Sequence, residues 1–307
     1  MTRTQIDLIE AADPERSVNA RRRVPRVLSI AGTDPSGGAG IQADLKSIAA
    51  NGGYGMAVVT ALVAQNTRGV RSVHVPPVSF LEEQLDAVSD DVQIDAVKIG
   101  MLATADVISV VTGWLDRVRP PLVVLDPVMV ATSGDRLLSA DAEDALRGLL
   151  SRAAIVTPNL PELAILAEEP VMEVWDDIIA QAGRVAARHD VRVLAKGGHL
   201  AGDFIPDALV EATEDGVSVT EFPGIRVAST NTHGTGCSLS SALATRVSIT
   251  GEWARAAAES KSWLTESIRH GHELEVGSGH GPISHFAGLW ARGGTTTAPM
   301  PAEARVG

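Results

Sequence analysis

Residues 27–44 read VLSIAGTDPSGGAGIQAD, a short apolar run followed by a glycine-rich turn and the start of an amphipathic stretch. An apolar run of this length that ends at glycine indicates a buried strand, and the amphipathic spacing after it indicates a helix. The same alternation of short apolar runs and longer amphipathic stretches recurs along most of the chain. The sequence therefore predicts an α/β protein built from β-α units around a mostly parallel sheet.

The alternation also gives bounds for the individual elements. We predict strands over 27–31, 57–62, 96–100, 122–126, 154–157 and 192–196, and helices over 41–51, 80–90, 105–117, 140–150, 161–168 and 174–189. Residues 207–227 alternate around Glu214-Asp215-Gly216, which predicts an antiparallel hairpin at one edge of the sheet. Two further helices are predicted, one from Cys237 and one over 252–274. Ligands of open parallel sheets collect at the carboxyl ends of the strands, so the polar residues there are the candidates for function.

Composition limits the class of protein. The chain has 307 residues, a net charge of −12 and 45% hydrophobic residues, which is enough for a substantial core in one domain. The cationic residues are scattered, which argues against a nucleic-acid partner. The single cysteine cannot form an internal disulfide, and no apolar run of about 18 residues or signal peptide is found, which favours a cytoplasmic protein without a membrane span. We expect a single domain over 27–290, a flexible extension over 1–26 and a disordered tail over 291–307.

The glycines after the first strand allow two interpretations. Gly38, Gly40 and Ala43 match the dinucleotide-binding spacing G-x-G-x-x-G/A, but the turn is long and residues 59–66 lack the acidic residue that should follow. No phosphate-binding loop of the type G-x-x-x-x-G-K-[ST] is present either. We therefore expect these glycines to bring backbone close to a small ligand, with Asp44 presenting its carboxylate to that ligand. The alternative is a helix-capping loop with a solvated Asp44.

Two residues that follow predicted strands could recognise a flat heteroaromatic ring. Gln65, after the second strand, offers a hydrogen-bond donor and an acceptor side by side, complementary to the edge of an aminopyrimidine. Met101, after the third strand, would form an apolar wall for such a ring, although a core methionine is the simpler interpretation. The corresponding alternative for Gln65 is an ordinary surface loop residue.

Two carboxylates and a lysine lie where further strands end. Asp126 follows a buried strand, and Glu162 lies at the start of the helix after the next strand. Carboxylates at adjacent strand ends fit a Mg²⁺ ion held mostly through water beside nucleotide phosphates. Lys196 ends another apolar strand and is the lysine placed to meet a phosphate. Each could instead be structural, Glu162 as a helix-start residue that the dipole favours and Lys196 as a partly exposed strand end.

Residues 231–238 read NTHGTGCS and lead into a stretch that predicts a helix. Glycines before a helix let backbone N–H groups point outward, and the helix dipole adds about half a positive charge, so this junction predicts an anion site. Cys237 lies at that point, where the dipole favours the thiolate and suits it to accept a proton from a substrate hydroxyl. The alternative is a turn followed by a small buried cysteine. We expect His233 to shape the loop.

Seven segments in order carry a resemblance to a known family: residues 31–44, 64–67, 98–102, 126–129, 157–162, 196–199 and 231–238. Together they resemble the hydroxymethylpyrimidine and phosphomethylpyrimidine kinases of thiamine biosynthesis, in the ribokinase-like superfamily, and the likeness covers residues 27–290. The resemblance implies a three-layer α/β/α sandwich with a mostly parallel central sheet and an antiparallel edge hairpin. It also implies ATP- and Mg²⁺-dependent phosphorylation of 4-amino-5-hydroxymethyl-2-methylpyrimidine, then of its monophosphate to the pyrophosphate, by a homodimer.

The resemblance assigns a substrate pocket by matching motif. Gln65 would bind the pyrimidine edge. The walls of the pocket would be formed by Gly32, Asp44, Met101 and Val128.

The resemblance also assigns the nucleotide end of the site. Lys196 and Asp126 would bind ATP and its metal, and Glu162 would bind the metal through water. Cys237 would be the base, where many related sugar kinases have an aspartate. The oxyanion hole would be formed by Gly234, Thr235, Gly236 and Cys237. Two of these residues, Thr235 and Gly236, would also contact the nucleotide.

Three other functions fit parts of the same pattern. A pyridoxine or pyridoxal kinase of the same superfamily also phosphorylates a hydroxymethyl group on a flat ring. A non-catalytic nucleotide-binding or regulatory protein could keep the fold, although Cys237, Lys196 and Asp126 argue against it. A Rossmann-type oxidoreductase is the third alternative.

Overall fold

The computed structural model of the protein describes residues 24–130 and 137–292. The predicted N-terminal extension and C-terminal tail lie almost entirely outside these residues, so both stay predictions. Within the described residues, no helix combines the length and the apolar character that crossing a bilayer requires.

An eight-stranded sheet forms the middle layer of the described part of the chain. In spatial order its strands are β10 (Gly216–Phe222), β9 (Asp207–Thr213), β8 (Arg192–Lys196), β7 (Ile155–Val156), β6 (Val123–Leu125), β5 (Ala96–Ile99), β1 (Arg26–Ala31) and β2 (Tyr54–Val59). The strands from β8 to β2 in this order are parallel, whereas β9 runs antiparallel to both of its neighbours, β8 and β10. The predicted antiparallel edge hairpin is therefore confirmed as β9–β10.

Helices pack on both faces of this sheet. In chain order they are α1 (Gly40–Ala50), α2 (Val78–Ser89), α3 (Ala105–Val118), α4 (Glu143–Leu149), α5 (Leu160–Ala167), α6 (Trp175–His189), α7 (Thr235–Thr250), α8 (Trp253–Arg269) and α9 (Ala287–Arg292). Successive residues of β1 enter different cores, since Val27 packs in the core with α1, α7 and α8, whereas Leu28 packs in the core with α2 to α6. Side chains that alternate along a strand thus give the three-layer sandwich that the resemblance implied.

Some predicted helices have different bounds in the structure. The predicted helix over 140–150 is a short α-helix between two 3₁₀ turns, Ala140–Ala142 and Leu150–Arg152. The helix predicted over 252–274 ends at Arg269 and is followed by a 3₁₀ turn. The next residue but one, Gly271, lies so close to Asn231 that a Cβ atom would be 2.6 Å from the Cβ of that residue. Glycine is therefore required at this position of the turn.

A second, two-stranded sheet has no counterpart in the prediction. It consists of β3 (Leu62–Asn66) and β4 (Gly69–His74), which pair antiparallel. The predicted strand over 57–62 extended too far, because β2 ends at Val59 and the chain then leaves the central sheet. The alternation of an exposed Leu62 with a buried Val63 is the signal that could have revealed the extra strand.

Candidate active site

The carboxyl ends of the central strands and the first turn of α7 meet at one place. Asp126 follows β6 and Lys196 ends β8. Gly236 lies in the first turn of α7, where an added Cβ atom would be 3.5 Å from both Asp126 Oδ2 and Lys196 Nζ. The predicted anion site and the predicted phosphate lysine therefore form one site.

Glycine is required where the two glycine-rich segments approach each other. Gly234 has a φ of 76°, and a Cβ atom there would lie 1.9 Å from Gly38 O. Gly40 has a φ of 55°, and its Cβ atom would lie 2.3 Å from Gly32 O. Residues with side chains rarely adopt these φ values, and no side chain fits these contacts. The loop after β1 and the loop before α7 therefore pack directly against each other.

Several backbone amides at the start of α7 are free to bind an anion. The amide of Thr235 donates to Thr232 O. Among the described residues, the amides of Gly234, Gly236 and Cys237 have no protein acceptor. Free N–H groups at a helix N-terminus are an established arrangement for binding phosphate. Of the four residues predicted for the oxyanion hole, Thr235 is thus the one whose amide is already paired.

A buried aspartate that the sequence analysis did not single out fixes both loops. Asp34 accepts hydrogen bonds from the amides of Ser36, Gly38 and Ala39 and, at 2.7 Å, from His233 Nε2. Burial opposes ionisation, but these donors, His233 above all, hold the pKa of Asp34 well below its usual value. His233 therefore shapes the loop through its hydrogen bond with Asp34. The two residues are far apart in the sequence, so no local spacing signals their contact.

Cys237 is a half-buried free thiol in the first turn of α7. Burial raises its pKa to about 11; Lys98 lowers this pKa, and the carboxylates of Asp44 and Asp126 raise it further. The resting thiol is therefore protonated at neutral pH, because burial opposes the thiolate. The contribution expected from the helix dipole stays a prediction.

Asp44 lies beneath the site. Its carboxylate is fully buried and accepts hydrogen bonds from Lys98 Nζ at 2.9 and 3.0 Å, from Ser29 Oγ at 2.6 Å and from Ser241 Oγ at 2.8 Å. The alternative of a solvated Asp44 is therefore wrong, whereas the presentation of its carboxylate to a ligand is not decided by these contacts. A buried lysine neutralises its charge. A role of Asp44 in lining the pocket stays a prediction.

Replacing Lys98 with methionine is expected to destabilise the protein by about 3–5 kcal/mol, because Asp44 would remain buried without a countercharge. Urea denaturation measures this change in the free energy of unfolding. The control is the double variant Lys98→Met with Asp44→Leu, which should recover most of the loss because neither position then carries a charge. A free energy of unfolding equal to wild type in Lys98→Met would show that the ion pair does not stabilise the folded protein.

Asp126 and Lys196 form a second buried ion pair, with Lys196 Nζ 3.1 Å from Asp126 Oδ1. Thr157 Oγ1 donates to the same oxygen at 3.0 Å, and Ser240 Oγ donates to the other oxygen at 3.3 Å. Burial opposes ionisation of Asp126, but Lys196 and Lys98 lower its pKa. Burial likewise disfavours charge on Lys196, and Asp126 raises the pKa of this lysine. The pair therefore keeps one negative and one positive charge beside the free amides.

Glu162 caps the helix in which it lies and also faces this ion pair. Its carboxylate accepts a hydrogen bond from the amide of Asn159, and Asn159 Oδ1 accepts one from the amide of Glu162, which is a capping box. Burial raises the pKa of Glu162 to about 7; Lys196 lowers this pKa, and the charge of Asp126 raises it. The helix-start interpretation is confirmed. The metal-binding interpretation stays a prediction beside it.

The predicted pocket walls meet in a small apolar cluster. Val63 of β3 and Met101 belong to this cluster, and Val128 packs against it. Gly32 adjoins them, since its added Cβ atom would lie 3.0 Å from Met101 Sδ and 3.7 Å from Val63 Cγ2. The structure thus brings Gly32, Met101 and Val128 together under the β3–β4 hairpin.

Gln65 lies on that hairpin. Gln65 lies two residues after Val63, which is buried in the cluster, and the pairing of β3 with β4 shifts in register between Ala64 and Gln65. No other described residue forms a hydrogen bond with its carboxamide. A side-chain amide that no described residue pairs with, beside an apolar cluster, is suited to bind the edge of a flat ring.

A sandwich with this strand order, and with an anion-binding helix start at the carboxyl ends of the strands, belongs to the ribokinase-like class of kinases. Within that class the chain belongs to the phosphomethylpyrimidine kinase family, which matches residues 34–284. The family and the fold that the resemblance implied are both confirmed.

Curated relatives agree with this family. The hydroxymethylpyrimidine/phosphomethylpyrimidine kinase of Escherichia coli is 48% identical over 264 residues, which are 86% of this chain and 98% of that protein. The thiamine biosynthesis multifunctional protein ThiED of Corynebacterium glutamicum is 56% identical over 261 residues, which are 85% of this chain and 34% of that protein. This chain therefore spans about a third of the length of the Corynebacterium relatives.

Solved structures share the fold. The ADP complex of Bacillus subtilis pyridoxal kinase has a TM-score of 0.77 and 32% identity, covering 87% of this chain and 99% of that one. The phosphomethylpyrimidine kinase of Clostridium difficile has a TM-score of 0.69 and 37% identity, covering 80% of this chain and 99% of that one. Pyridoxal kinases and phosphomethylpyrimidine kinases thus share this fold. The family match is what assigns this chain to the second group.

Proposed function

We propose that this chain transfers the γ-phosphoryl group of ATP to the hydroxymethyl group of 4-amino-5-hydroxymethyl-2-methylpyrimidine, and then phosphorylates the monophosphate to the pyrophosphate. The proposal rests on the position of the free amides of Gly236 and Cys237 beside the Lys196–Asp126 pair. Fixed donors aimed at the oxygens of a transferring phosphoryl group are the main source of catalysis in such reactions. The family and the names of the curated relatives support the choice of substrate.

The proposed nucleotide is ATP. The Bacillus subtilis pyridoxal kinase was solved with ADP, and that of Staphylococcus aureus with AMP-PCP and pyridoxal. By analogy, the terminal phosphates of ATP would lie toward the first turn of α7, where Thr235 and Gly236 meet Lys196. The free amides and the lysine there supply the positive potential that these phosphates need.

The residues that would hold a Mg²⁺ ion are Asp126 and, through water, Glu162. Carboxylate oxygens are the ligands this ion prefers, and two buried carboxylates that share one lysine leave negative charge for a cation to balance. When bound, the ion would neutralise charge on the nucleotide phosphates. The described residues contain no cluster of three or more histidine, cysteine, aspartate or glutamate side chains suited to a metal, so water and phosphate oxygens would complete its coordination.

The transfer itself can be written for the groups present. The substrate hydroxyl oxygen attacks the γ-phosphorus in line, a new O–P bond forms, and the O–P bond to the leaving ADP breaks. The hydroxyl proton passes to Cys237 Sγ, after the thiol has released its own proton to solvent. Lys196 and the free amides hold the charge of the transferring group in place. Only the small thiolate fraction is competent in this scheme, because the resting pKa of the thiol is about 11.

Product analysis by mass spectrometry tests the proposal directly. The enzyme is incubated with ATP, Mg²⁺ and the pyrimidine alcohol, and in parallel with pyridoxine and pyridoxal. Products with one and then two added phosphoryl groups on the pyrimidine are expected. Phosphorylation of the pyridine alcohols alone would overturn the proposal in favour of a pyridoxal kinase, and no ADP release with any alcohol would favour a non-catalytic protein.

Replacing Gln65 with alanine is expected to raise KM for the pyrimidine alcohol roughly 10–100-fold, because the loss of a paired amide leaves the polar ring edge unsatisfied. KM for ATP should stay within about twofold, since Gln65 is not among the hydrogen-bond partners of Lys196 or Asp126. Steady-state kinetics with each substrate varied in turn gives both values.

The matched control for this variant is Asn66→Ala. Asn66 is the next residue of β3, and its Oδ1 accepts a hydrogen bond from the amide of Arg68. The control should leave KM for the alcohol within about twofold. Equal effects of Gln65→Ala on the two substrates would argue against a role in ring recognition.

We further propose a cytoplasmic homodimer that binds neither nucleic acid nor membrane. The resemblance supports the dimer, and the scattered cationic residues support the absence of a nucleic-acid partner. Light scattering coupled to gel filtration would give the mass in solution, and a monomer at micromolar concentration would contradict the dimer.

A further inference from the structure

The turn of the β3–β4 hairpin has one buried residue, Thr67, beside an exposed one, Arg68, although hairpin turns normally face solvent. Thr67, the first residue of its turn, is 8% exposed. The residues that cover it come from a distant segment, Gly277-Ser278-Gly279-His280-Gly281, which we name the glycine loop. The contact therefore joins a hairpin in the first quarter of the chain to a loop near the end of the described residues.

Thr67 fills a niche that is shaped by two glycines. A Cβ atom on Gly277 would lie 2.2 Å from Thr67 Oγ1, and one on Gly279 would lie 2.1 Å from Thr67 O. Two hydrogen bonds close the contact, since the amide of Gly279 donates to Thr67 Oγ1 at 3.2 Å and the amide of His280 donates to Thr67 O at 2.8 Å. The hydroxyl, the methyl group and the backbone of Thr67 are thus all held.

The other end of the glycine loop supports the loop before α7. Gly281 O accepts a hydrogen bond from the amide of His233 at 3.1 Å. The Asn231 side chain donates to Pro282 O at 3.4 Å, and a Cβ atom on Gly281 would lie 2.1 Å from Asn231 Nδ2. His233 is also the residue that pairs with Asp34. The glycine loop therefore contacts both the hairpin that carries Gln65 and the segment that carries the free amides.

We propose that Thr67 and the glycine loop form a latch that sets the position of Gln65 relative to the phosphoryl-transfer end of the site. Thr67 is then a positioning residue, acting through Gln65, which lies two residues before it in the chain. The inference rests on the proposed function for the identity of the substrate. The latch would couple binding of the substrate ring to placement of its hydroxyl group. The reason is that the glycine loop contacts both the hairpin that carries Gln65 and the segment before α7.

The test compares Thr67→Val, which keeps the shape but lacks the hydroxyl, with Thr67→Ser, which keeps the hydroxyl. Thr67→Val is expected to raise KM for the pyrimidine alcohol about five- to tenfold with KM for ATP unchanged, and Thr67→Ser should restore most of this loss. Hydrogen exchange should become faster at the amides of Gly279 and of β3 in Thr67→Val only. An unchanged KM for the alcohol together with unchanged exchange would overturn the latch.

A second variant covers the case in which the hydroxyl contributes little. Gly279→Ala places a methyl group against Thr67 O, so it should displace the loop and speed exchange in both the hairpin and the segment before α7. Exchange confined to the glycine loop would overturn the coupling. The exchange measurements need no substrate, so they test the latch even if the wild-type enzyme fails to phosphorylate the pyrimidine alcohol, which is the outcome that would overturn the proposed function.

Discussion

Replacing Cys237 with alanine is expected to lower kcat for the pyrimidine alcohol by roughly 10²–10⁴-fold, the range that a positioned proton acceptor contributes. The variant removes the sulfur but keeps the backbone amides of Gly236 and Cys237. Binding of a non-hydrolysable ATP analogue, measured by titration calorimetry, should therefore stay within about threefold of wild type. A kcat near the wild-type value would show that the thiol is a passive neighbour of the amides.

The pH dependence separates a base from a residue that merely positions the substrate. With a resting pKa of about 11 for Cys237, the thiolate fraction, and with it kcat/KM, should rise about tenfold per pH unit between roughly pH 7 and pH 9. The sign follows from the chemistry, because only the deprotonated sulfur can accept the hydroxyl proton. The residual activity of Cys237→Ala should lack this rise. A wild-type profile that is level across this range, or a variant with the same slope, would exclude Cys237 as the base.

Local sequence signals were enough for the sheet and for the strand-end residues. β8 follows the predicted bounds because an apolar run ends at Lys196 and Gly197, and Asp126 follows β6 for the same kind of reason. A buried parallel strand appears as a continuous run of apolar residues, so the end of the run shows where the strand ends. The predicted convergence of these ends follows from the topology of parallel sheets.

The residues that sequence reasoning missed or misjudged depend on contacts between distant segments. Lys98 and Asp44 pair across 54 positions, Asp34 and His233 across 199, and Thr67 and Gly279 across 212. No periodicity or motif specifies such partners. The high pKa of Cys237 could not be predicted for the same reason, because the burial that raises it comes from the whole fold.

Replacing Lys196 with methionine is expected to lower kcat/KM for ATP by roughly 10²–10³-fold, with kcat itself reduced, because the lysine holds charge on the transferring group. Its Nζ lies 3.1 Å from Asp126 Oδ1 and beside the free amides, so its loss removes the fixed side-chain cation of this ion pair. Steady-state kinetics with ATP varied at saturating alcohol gives both constants.

Lys261 provides a matched control for the cost of breaking a buried ion pair. Its Nζ lies 2.7 Å from Asp207 Oδ2, the two side chains are 16% and 13% exposed, and Asp207 is the β9 residue directly opposite Lys196. Lys261→Met should therefore lose stability, as Lys196→Met does, while kcat/KM for ATP stays within about threefold. If the two variants lose activity equally, Lys196 serves the fold alone. A loss confined to Lys196→Met assigns the effect to the phosphoryl group, because both variants remove one half-buried lysine from one aspartate of the same sheet.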